Sequence, residues 1–395
     1  MQNYILFDDS AWGKLLPLTF TRPVCEIRIG ILTIREKWEK YLATECSFLT
    51  QDYLSEKYPL HTGAANIYLN GSVLPTEGLV EAIKKLLPGQ CLKQESVLVA
   101  YSLVQPLKEV PSDFSIFKDV IEYSGNILKI DYPWQIFSNN GVALKADFDI
   151  LTKGRKSAPI SDTNRIAGAE NIFLEEGAKV EFSIINATTG PVYIGKDAEI
   201  MEGCVVRGPF ALCEHSALKM GAKIYGPTTI GPHSKVGGEV NNSVLFAYSN
   251  KAHDGFLGNS VLGEWCNLGA DTNNSNLKNN YEMVKLWSYV EERFISTGLQ
   301  FCGLIMGDHS KSGINTMFNT GTVVGVSANI FGDGFPRNFI PSFSWGGAQG
   351  YMVYKPDKAF RTAEIVYDRR GMVLSEAEKT ILVKVFEMDE KYRRF

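Results

Sequence analysis

Long apolar runs, basic runs and paired cysteines are all missing from this sequence of 395 residues. No window approaches the roughly 18 consecutive apolar residues of a membrane-spanning helix, so a transmembrane protein is not expected. The net charge is −4 without a long Lys/Arg run, which argues against dedicated binding to nucleic acid or to an anionic membrane. The N-terminus lacks the basic start and the cleavage site of a signal peptide, so a cytoplasmic location is expected.

The cysteines are odd in number, and no two of them have CxxC spacing. Neither a disulfide framework nor a zinc site is therefore supported. We expect reduced and mostly buried thiols instead. The seven positions are Cys25, Cys46, Cys91, Cys204, Cys213, Cys266 and Cys302.

Glycine is concentrated between residues 186 and 347, and an internal repeat runs through the same segment. Aliphatic residues recur there at every sixth position: Ile194, Ile200, Val206, Leu212, Leu218, Ile224, Ile230 and Val236. A period of six fits neither a helix nor an ordinary strand. It is typical of a hexapeptide coil with three flat faces, each pointing one aliphatic side chain inward, and with small residues at the corners. The pattern predicts a parallel β-helix.

The repeat is interrupted twice. Its phase breaks near 240–255, returns with Phe256, Leu262 and Leu268, and resumes after an insertion at Phe294, with Met306, Phe318, Val324 and Ile330 in step. Residues 239–255 and 271–296 are therefore expected to loop out of the coil. A rigid solenoid that presents two loops is a good scaffold for a site.

The segments on either side of the repeat have the patterns of ordinary strands and helices. Strands at Asn3–Phe7, Ala65–Leu69 and Val97–Tyr101 alternate with helices at Ile29–Leu42 and Pro75–Leu87, which predicts a parallel α/β sheet with ligands beyond the carboxyl ends of its strands. At the other end, Pro356–Arg370 and Ser375–Arg394 are expected as helices, the second with a capping box formed by Ser375 and Glu378. The expected domains are residues 1–158, 159–350 and a helical cap over 351–395.

The segment SNKAHDGFLGNSVLGEWCNLGADTNNSNLKNNY, residues 249–281, resembles a known family. It is similar to the acetyltransferase half of the bifunctional glucosamine-1-phosphate N-acetyltransferase/UDP-N-acetylglucosamine pyrophosphorylase family, which reads K-A-G-H-x-x-Y-L-G and then N-I-G-A-G-T. Lys251-Ala252-His253 lacks the glycine, Phe256 replaces the tyrosine, and residues 267–270 match. Together with GGEV at 237–240, the segment resembles sugar-phosphate nucleotidyltransferase-like proteins more closely than it resembles that family. The resemblance implies a left-handed β-helix of the acyltransferase type.

The resemblance also implies roles for individual side chains. His253 would be the base that takes a proton from an amine during acetyl transfer from acetyl-CoA, a role that suits a group titrating near neutrality. His309 is the rival candidate, whereas His215 and His233 fall at corners of the repeat and are expected to be solvated. The residues expected to bind a sugar phosphate, by the resemblance or by their charge and position, are Arg207, Glu239, Lys251, Phe256, Asn267, Asn276, Lys278 and Lys285.

Residues Ile5–Ile34, with Pro17-Leu18-Thr19 and Arg22-Pro23, resemble the opening of sugar-1-phosphate nucleotidyltransferases. The family's glycine loop is largely replaced, and its L-N-G-D magnesium motif reads Leu69-Asn70-Gly71-Ser72, where serine is a poor Mg²⁺ ligand. The remaining candidates for nucleotide binding are Gly13, Lys14, Arg22, Asn70 and Gly71. Asp147 and Asp149 are candidate metal ligands.

The leading hypothesis is a two-domain enzyme of sugar-nucleotide biosynthesis. Its β-helix would acetylate a hexosamine 1-phosphate, and its first domain would form the UDP- or dTDP-sugar from UTP or dTTP with Mg²⁺. One alternative keeps only nucleotidyl transfer, with the β-helix serving trimerisation, and another is a non-catalytic nucleotide-sugar-binding protein. By resemblance we expect a homotrimer with residues 239–255 and 271–296 at its interfaces.

Overall fold

The computed structural model describes residues 2–105, 109–111 and 113–395. Contacts divide the chain into two compact units. The N-terminal unit comprises Met1–Leu15, Thr21–Ile27 and Leu32–Tyr132, and the solenoid unit comprises Leu16–Phe20, Arg28–Ile31 and Pro133–Phe395. The expected boundary at residue 158 stays a prediction, although the long helix that precedes it packs with the solenoid unit.

The N-terminal unit is built on a mixed six-stranded sheet. In spatial order its strands are Cys46–Leu49, Asn3–Phe7, Asn66–Asn70, Val97–Leu103, Gln90–Gln94 and Asp119–Glu122. The predicted parallel pairing is present between Asn3–Phe7 and both of its neighbours, but Val97–Leu103 runs antiparallel to the two strands beside it. A small antiparallel ladder joins Val73–Leu74 to Leu128–Lys129.

The helices of this unit are short, and threonine side chains cap the second and the third. They are α1 (Ala11–Lys14), α2 (Ile34–Leu42) and α3 (Glu77–Lys84), with single 3₁₀ turns at Val24–Glu26 and Asp52–Leu54. Thr33 and Glu36 form a capping box that satisfies amides at the start of α2. In the core, the rings of Tyr68 and Tyr101 stack with centroids 4.5 Å apart.

Residues 165–346 form a parallel β-solenoid of about ten turns. Each turn places one short strand on each of three faces. Face 1 consists of Ile172–Leu174, Val192–Ile194, Phe210–Leu212, Thr228–Ile230, Val244–Leu245, Val261–Leu262, Leu304–Met306, Thr322–Val324 and Phe339–Ile340. Face 2 consists of Lys179–Val180, Glu199–Ile200, Ala217–Leu218, Lys235–Val236, Asn250–Lys251, Asn267–Leu268, Lys311–Ser312, Asn329–Ile330 and Ser344–Gly347, to which Gly350–Val353 adds antiparallel.

Face 3 positions most of the candidate site residues. Its strands are Arg165–Ala167, Ile184–Asn186, Val205–Arg207, Lys223–Tyr225, Glu239–Asn241 and Phe256–Gly258. A second ladder pairs Asn273–Asn274 with Met317–Phe318, and it adjoins face 3 because Asn273 accepts a hydrogen bond from the Phe256 amide. A single 3₁₀ turn at Ala169–Asn171 lies among the first turns.

The six-residue repeat is confirmed as the inward row of the solenoid. All eight aliphatic residues from Ile194 to Val236 are fully buried in one continuous core, as are Met306, Phe318, Val324 and Ile330. Stacked parallel turns bury these side chains against one another, since the strands of one turn pair with those of the next. The predicted fold class is therefore correct.

Of the two segments predicted to loop out, only the second contains an insertion. Residues 239–255 do not loop out: they continue the coil through turns of 15 and 17 residues, as the pairing of Lys235 with Asn250 and of Asn250 with Asn267 requires. The shortened turns shift the phase, so Leu257 rather than Phe256 points inward.

The true insertion lies between Asn274 and Leu304, slightly later than predicted. It holds an antiparallel hairpin of Lys285–Ser288 with Arg293–Ser296. Phe294 belongs to this hairpin and is partly exposed, so assigning it to the coil was wrong.

Helix α4 (Pro133–Thr152) lies along face 1 and is tied to it by polar side chains. The Asn140 side chain accepts from the Gly30 amide at 2.7 Å and donates to Thr229 Oγ1 at 3.1 Å. Asp147 Oδ2 accepts from the Ile31 amide at 2.7 Å. These buried bonds hold the Arg28–Ile31 segment between the helix and the solenoid.

Two helices follow the solenoid, as predicted. They are α5 (Pro356–Asp368) and α6 (Glu376–Met388), and a 3₁₀ turn at Glu390–Tyr392 ends the chain. The expected capping box of Ser375 with Glu378 is present. No helix within the described residues combines the length and apolar character needed to cross a bilayer. All seven cysteines are free and buried.

Candidate functional site

His253 lies at a corner of the solenoid, between faces 2 and 3, which we call the second corner. Its turn, residues 252–255, links Asn250–Lys251 to Phe256–Gly258. The turn is packed tightly between its neighbours: a Cβ on Gly238 would lie 2.8 Å from the Asp254 Cα, and one on Gly255 would lie 2.2 Å from the Thr272 carbonyl oxygen. Both glycines also have positive φ, at +70° and +115°. The His253 side chain itself is exposed.

Lys251 does not face the solvent, although it was predicted to bind substrate. Only 2% of the residue is exposed, and it pairs with the inward-facing Val236 of the neighbouring turn. Its Nζ donates to the carbonyl oxygen of His253 at 2.5 Å. Burial lowers the pKa of Lys251 to about 8, an effect that Asp254 and Asp271 oppose.

Face 3 brings several predicted side chains onto one surface. Arg207 is exposed at the end of its strand, which pairs with the strand on the next turn that ends at Tyr225. The Tyr225 hydroxyl donates to Glu239 at 2.6 Å, and this bond raises the tyrosine pKa to about 12. Glu239 in turn pairs with the half-buried Phe256. Adjacent turns are spaced by about 4.8 Å, so side chains of neighbouring strands lie within reach of one another.

Asn276 lies at the opposite edge of face 3 from His253. Its Nδ2 donates to Asn259 Oδ1 at 2.8 Å, and its carbonyl accepts from the Cys302 amide, which closes the base of the insertion. Lys278 and Lys285 lie in the insertion, where Lys278 is 3.8 Å from Glu282. Asn267 is exposed on face 2, so within one chain it is not part of the face 3 surface.

The remaining solenoid histidines lie at the first corner, between faces 1 and 2. Their rings stack with aromatic rings from successive turns: His215 on His233 at 4.8 Å, His233 on Tyr248 at 4.9 Å, and Tyr248 on Trp265 at 4.2 Å. His309 stacks farther along, and Tyr367 of α5 lies 4.0 Å from Trp265. We call this row the ring ladder. Its members are His215, His233, Tyr248, Trp265, His309 and Tyr367.

His233 was expected to be solvated, but it is half-buried within the ring ladder. The stacking of His309 with Trp265 and Tyr367 indicates a packing role for that histidine. Burial lowers the pKa of His233, with the charges of His215 and Arg370 adding to the effect. His215 remains partly exposed, 3.8 Å from Asp197. A ring held between other rings has little freedom to approach a substrate, whereas His253 is open to solvent.

In the N-terminal unit, polar side chains meet at the carboxyl ends of two parallel strands. Asp9 accepts from Asn70 Nδ2 at 3.0 Å and lies 3.2 Å from Lys129 Nζ. Lys129 also pairs with Asp131, which is 3.5 Å from Lys14. Predicted residues Lys14 and Asn70 thus share one cluster, in the location where α/β sheets bind ligands. Sequence analysis had not identified Asp9, Lys129 or Asp131.

The other nucleotide-binding candidates have more local roles. Gly13 lies in α1, and the Gly71 amide donates to the Phe7 carbonyl at 2.8 Å, where a Cβ would crowd that oxygen at 3.1 Å. Arg22 is buried and its Nη2 donates to Thr21 Oγ1 at 3.4 Å. Asp8 is buried too, and burial raises its pKa to about 7.

The residues at this edge do not fit the family's magnesium site. Ser72, which stands where the family has aspartate, is fully buried and donates to Asn70 Oδ1 at 2.6 Å. Asp147 is buried in α4 against the Ile31 amide, and Asp149 is exposed two residues away. The described residues contain no group of three or more His, Cys, Asp or Glu side chains arranged to hold a metal.

Comparison with known proteins agrees with the sequence motifs. Residues 4–156 match the sugar nucleotidyl transferase family. The chain is 32% identical over 214 residues to a bifunctional sugar-1-phosphate nucleotidylyltransferase/acetyltransferase of Sulfurisphaera tokodaii, covering 54% of this chain and 46% of the relative. It is 26% identical over 263 residues to the bifunctional protein GlmU of Methanococcus vannielii, covering 66% and 55%. The family resemblance is thereby confirmed, and the chain spans about half the length of these relatives.

Solved structures match part of the chain at low similarity. A UDP-N-acetylglucosamine acyltransferase from Bacteroides fragilis has 16% sequence identity and a TM-score of 0.27, covering 60% of this chain and 97% of that one. The corresponding enzyme from Arabidopsis has 14% identity and a TM-score of 0.25, covering 52% and 77%.

One signal for the burial of Lys251 was present in the sequence. Lys251 is six residues from both Leu245 and Leu257, which are buried in the solenoid core. The ring ladder had a weaker signal, because its members are separated by 18, 15, 17, 44 and 58 residues, and only the structure aligns them.

Proposed function

We propose that the solenoid unit transfers an acetyl group from acetyl-CoA to the amine of a hexosamine 1-phosphate. The observation that carries the proposal is the position of His253: it is an exposed histidine at the edge of a polar face, while the other solenoid histidines stack at a different corner. The names of the curated relatives, which include an acetyltransferase activity, support the same assignment.

The chemistry assigned to His253 is general base catalysis. The substrate nitrogen attacks the thioester carbonyl, so a C–N bond forms and the C–S bond breaks. His253 takes the proton that the nitrogen loses, and that proton ends on the departing CoA thiolate. Neutral imidazole is the form that can accept this proton.

The proposed substrate site is face 3, between His253 and Asn276. Arg207 would offset the phosphate charge by charge-assisted hydrogen bonds. Glu239, held by Tyr225, and the Asn276 amide would contact sugar hydroxyls. Phe256 presents an apolar ring where the resembling family has a tyrosine hydroxyl. Lys278, Lys285 and Asn267 lie off this face, and we assign them to CoA or to a neighbouring subunit.

The proposal includes a homotrimer in the cytoplasm, with sites between subunits. Sharing between subunits would bring Asn267 on face 2 toward face 3 of a neighbour. Sedimentation equilibrium would test this: we expect three times the monomer mass, and a monomer that retains full activity would rule out shared sites.

For the N-terminal unit we propose a nucleotide-sugar role, supported by the family match over residues 4–156. Mg²⁺-dependent nucleotidyl transfer would need carboxylates where Ser72 is buried, so we assign no step to a metal. We expect release of pyrophosphate from UTP or dTTP to be slower than acetyl transfer.

One assay separates these activities. Purified protein is given acetyl-CoA with a panel of amino-sugar 1-phosphates, or UTP or dTTP with N-acetylated sugar 1-phosphates, and thiol and pyrophosphate are measured in parallel. Thiol release that depends on the amino sugar is the expected result. Pyrophosphate release without thiol release would overturn the acetyltransferase assignment.

A further inference from the structure

A lysine occupies an aliphatic position inside the solenoid. Lys251 is in step with the inward-facing Leu245 and Leu257, and it is 2% exposed. A buried ammonium group loses its hydration, which destabilises the fold unless its partners compensate. An aliphatic residue would fill the same position without that cost, so packing alone does not account for a lysine.

The amine of Lys251 is directed at the turn that carries His253. Its Nζ donates to the His253 carbonyl oxygen at 2.5 Å. The charged groups that interact with it are Asp254 in the same turn and Asp271 at the corner of the next turn. The Asp271 amide in turn donates to the Asp254 carbonyl at 3.0 Å, so the two corners are bonded to each other.

The turn that carries His253 has the usual length of the second corner. Four residues fill this corner at 252–255, as at 201–204, 219–222 and 269–272, whereas only Gly237 and Gly238 connect Val236 to Glu239 on the preceding turn. The His253 turn packs against backbone atoms of both neighbouring turns. The Lys251 amine therefore bonds to the backbone of a tightly packed turn.

We propose that Lys251 is a positioning residue that anchors the His253 backbone from inside the solenoid and thereby orients the imidazole over face 3. This inference reassigns Lys251 from substrate binding, and it rests on the proposed function only for its effect on rate. The anchoring itself can be measured without any substrate.

The chain offers a matched control. Lys311 is also on face 2, is half-buried, and its Nζ donates to the carbonyl oxygen of a histidine, His309, at 2.9 Å. Replacing either lysine by methionine keeps an unbranched side chain of similar length and removes the hydrogen-bond donor. Lys251→Met and Lys311→Met therefore make the same chemical change at the second and the first corner.

The first measurement is amide hydrogen exchange followed by mass spectrometry. We expect Lys251→Met to speed exchange at least about 10-fold in peptides covering residues 252–255 and to leave the His309 peptide unchanged. Lys311→Met should leave residues 252–255 unchanged. Unaltered exchange at 252–255 in Lys251→Met would overturn the anchoring role, whatever reaction the protein catalyses.

The second measurement is steady-state acetyl transfer with thermal unfolding on the same samples. A small misplacement of a catalytic group can cost about 100-fold in rate, so we expect kcat of Lys251→Met to fall at least about 10-fold while both KM values change by less than about 3-fold. Its Tm should be equal or higher, because an apolar side chain replaces a buried charge. Lys311→Met should keep kcat within about 2-fold.

The outcomes separate the two claims. If the wild-type protein transfers no acetyl group, the proposed function fails, and the exchange experiment still decides whether Lys251 anchors the turn. If wild-type transfer is robust but Lys251→Met keeps its kcat, the positioning role is wrong and the proposed function stands. A rise in KM alone would return Lys251 to substrate binding.

Discussion

The first and second corners of the solenoid are made by the same kind of turn between short strands, yet they are filled in opposite ways. The first corner carries large rings that stack from turn to turn, and it is sealed by Tyr367 of α5. At the second corner, Gly238 and Gly255 leave no room for side chains beside the His253 turn, and the His253 ring is exposed. One corner supports packing, and the other leaves a titratable group accessible.

The comparison teaches how a uniform coil acquires local chemistry. Each corner repeats along the solenoid axis, so a side chain placed there meets the equivalent side chains of the turns on either side. Rings at successive turns stack and stabilise one another. Where the neighbours lack large side chains, a single histidine keeps its mobility and its contact with water.

The largest expected effect is a difference in kcat between histidine variants at the two corners. His253→Gln should lower kcat for acetyl transfer by about 100- to 10,000-fold, since a general base contributes that much to rate. His309→Gln should lower it by less than about 3-fold, because that ring stacks at the first corner. Thiol release with saturating substrates measures both. Equal losses in the two variants would break the functional distinction between the corners.

The free energy of unfolding, in contrast, should depend more on the first corner than on the second. Trp265 is 4% exposed and stacks on both Tyr248 and Tyr367, so Trp265→Ala should cost about 3–5 kcal/mol of unfolding free energy. Met220→Ala at the second corner, where the side chain is 71% exposed, should change it by less than about 0.5 kcal/mol. Urea titration of the two variants gives both values. A small loss for Trp265→Ala would mean that the ladder does not carry stability.

A smaller effect tests whether face 3 binds the substrate on which His253 is proposed to act. Arg207→Gln should raise KM for the amino-sugar phosphate by about 10- to 100-fold with kcat little changed, because a hydrogen bond to a charged group contributes about 1.5–3 kcal/mol. Arg165→Gln, two turns away on the same face, is the matched control and should leave KM unchanged. The assignment of Arg207 to the phosphate fails if both variants behave alike.

Much of this arrangement follows from the sequence, because a solenoid forces one inward side chain per face. The spacing from Ile194 to Val236 therefore predicts the core directly. The pattern was misread where two turns shorten to 15 and 17 residues. These turns are three residues and one residue shorter than the regular 18, so Leu257 points inward where a fixed period predicts Phe256. A fixed period contains no information about such changes.

The candidate site was predicted in part. The motif around His253 placed the histidine in a loop that leaves the coil, whereas it lies at a corner of the coil. Arg207, Glu239 and Phe256 do share one face. The charge of Lys251 suggested a surface role, but its register places it in the core. In the N-terminal unit, the Asp9–Lys129 pair joins residues 120 positions apart, and local spacing carries no signal for such a contact.

The smallest expected effect is a pH dependence specific to the first corner. The pKa of His233 is lowered in the folded state, so between that pKa and its ordinary value near 6.5 the unfolded chain binds more protons. The stabilisation is fully present above about pH 6.5 and is lost as the pH falls through the lowered pKa. His233→Phe keeps a stacking ring and removes the proton site, so its Tm should fall less than that of the wild type between about pH 7.5 and pH 5. The exposed His61 of the N-terminal unit supplies the control, and His61→Gln should follow the wild-type curve. If His233→Phe also follows it, protonation at the ring ladder contributes nothing to stability, and the contrast between the two corners would rest on packing and catalysis alone.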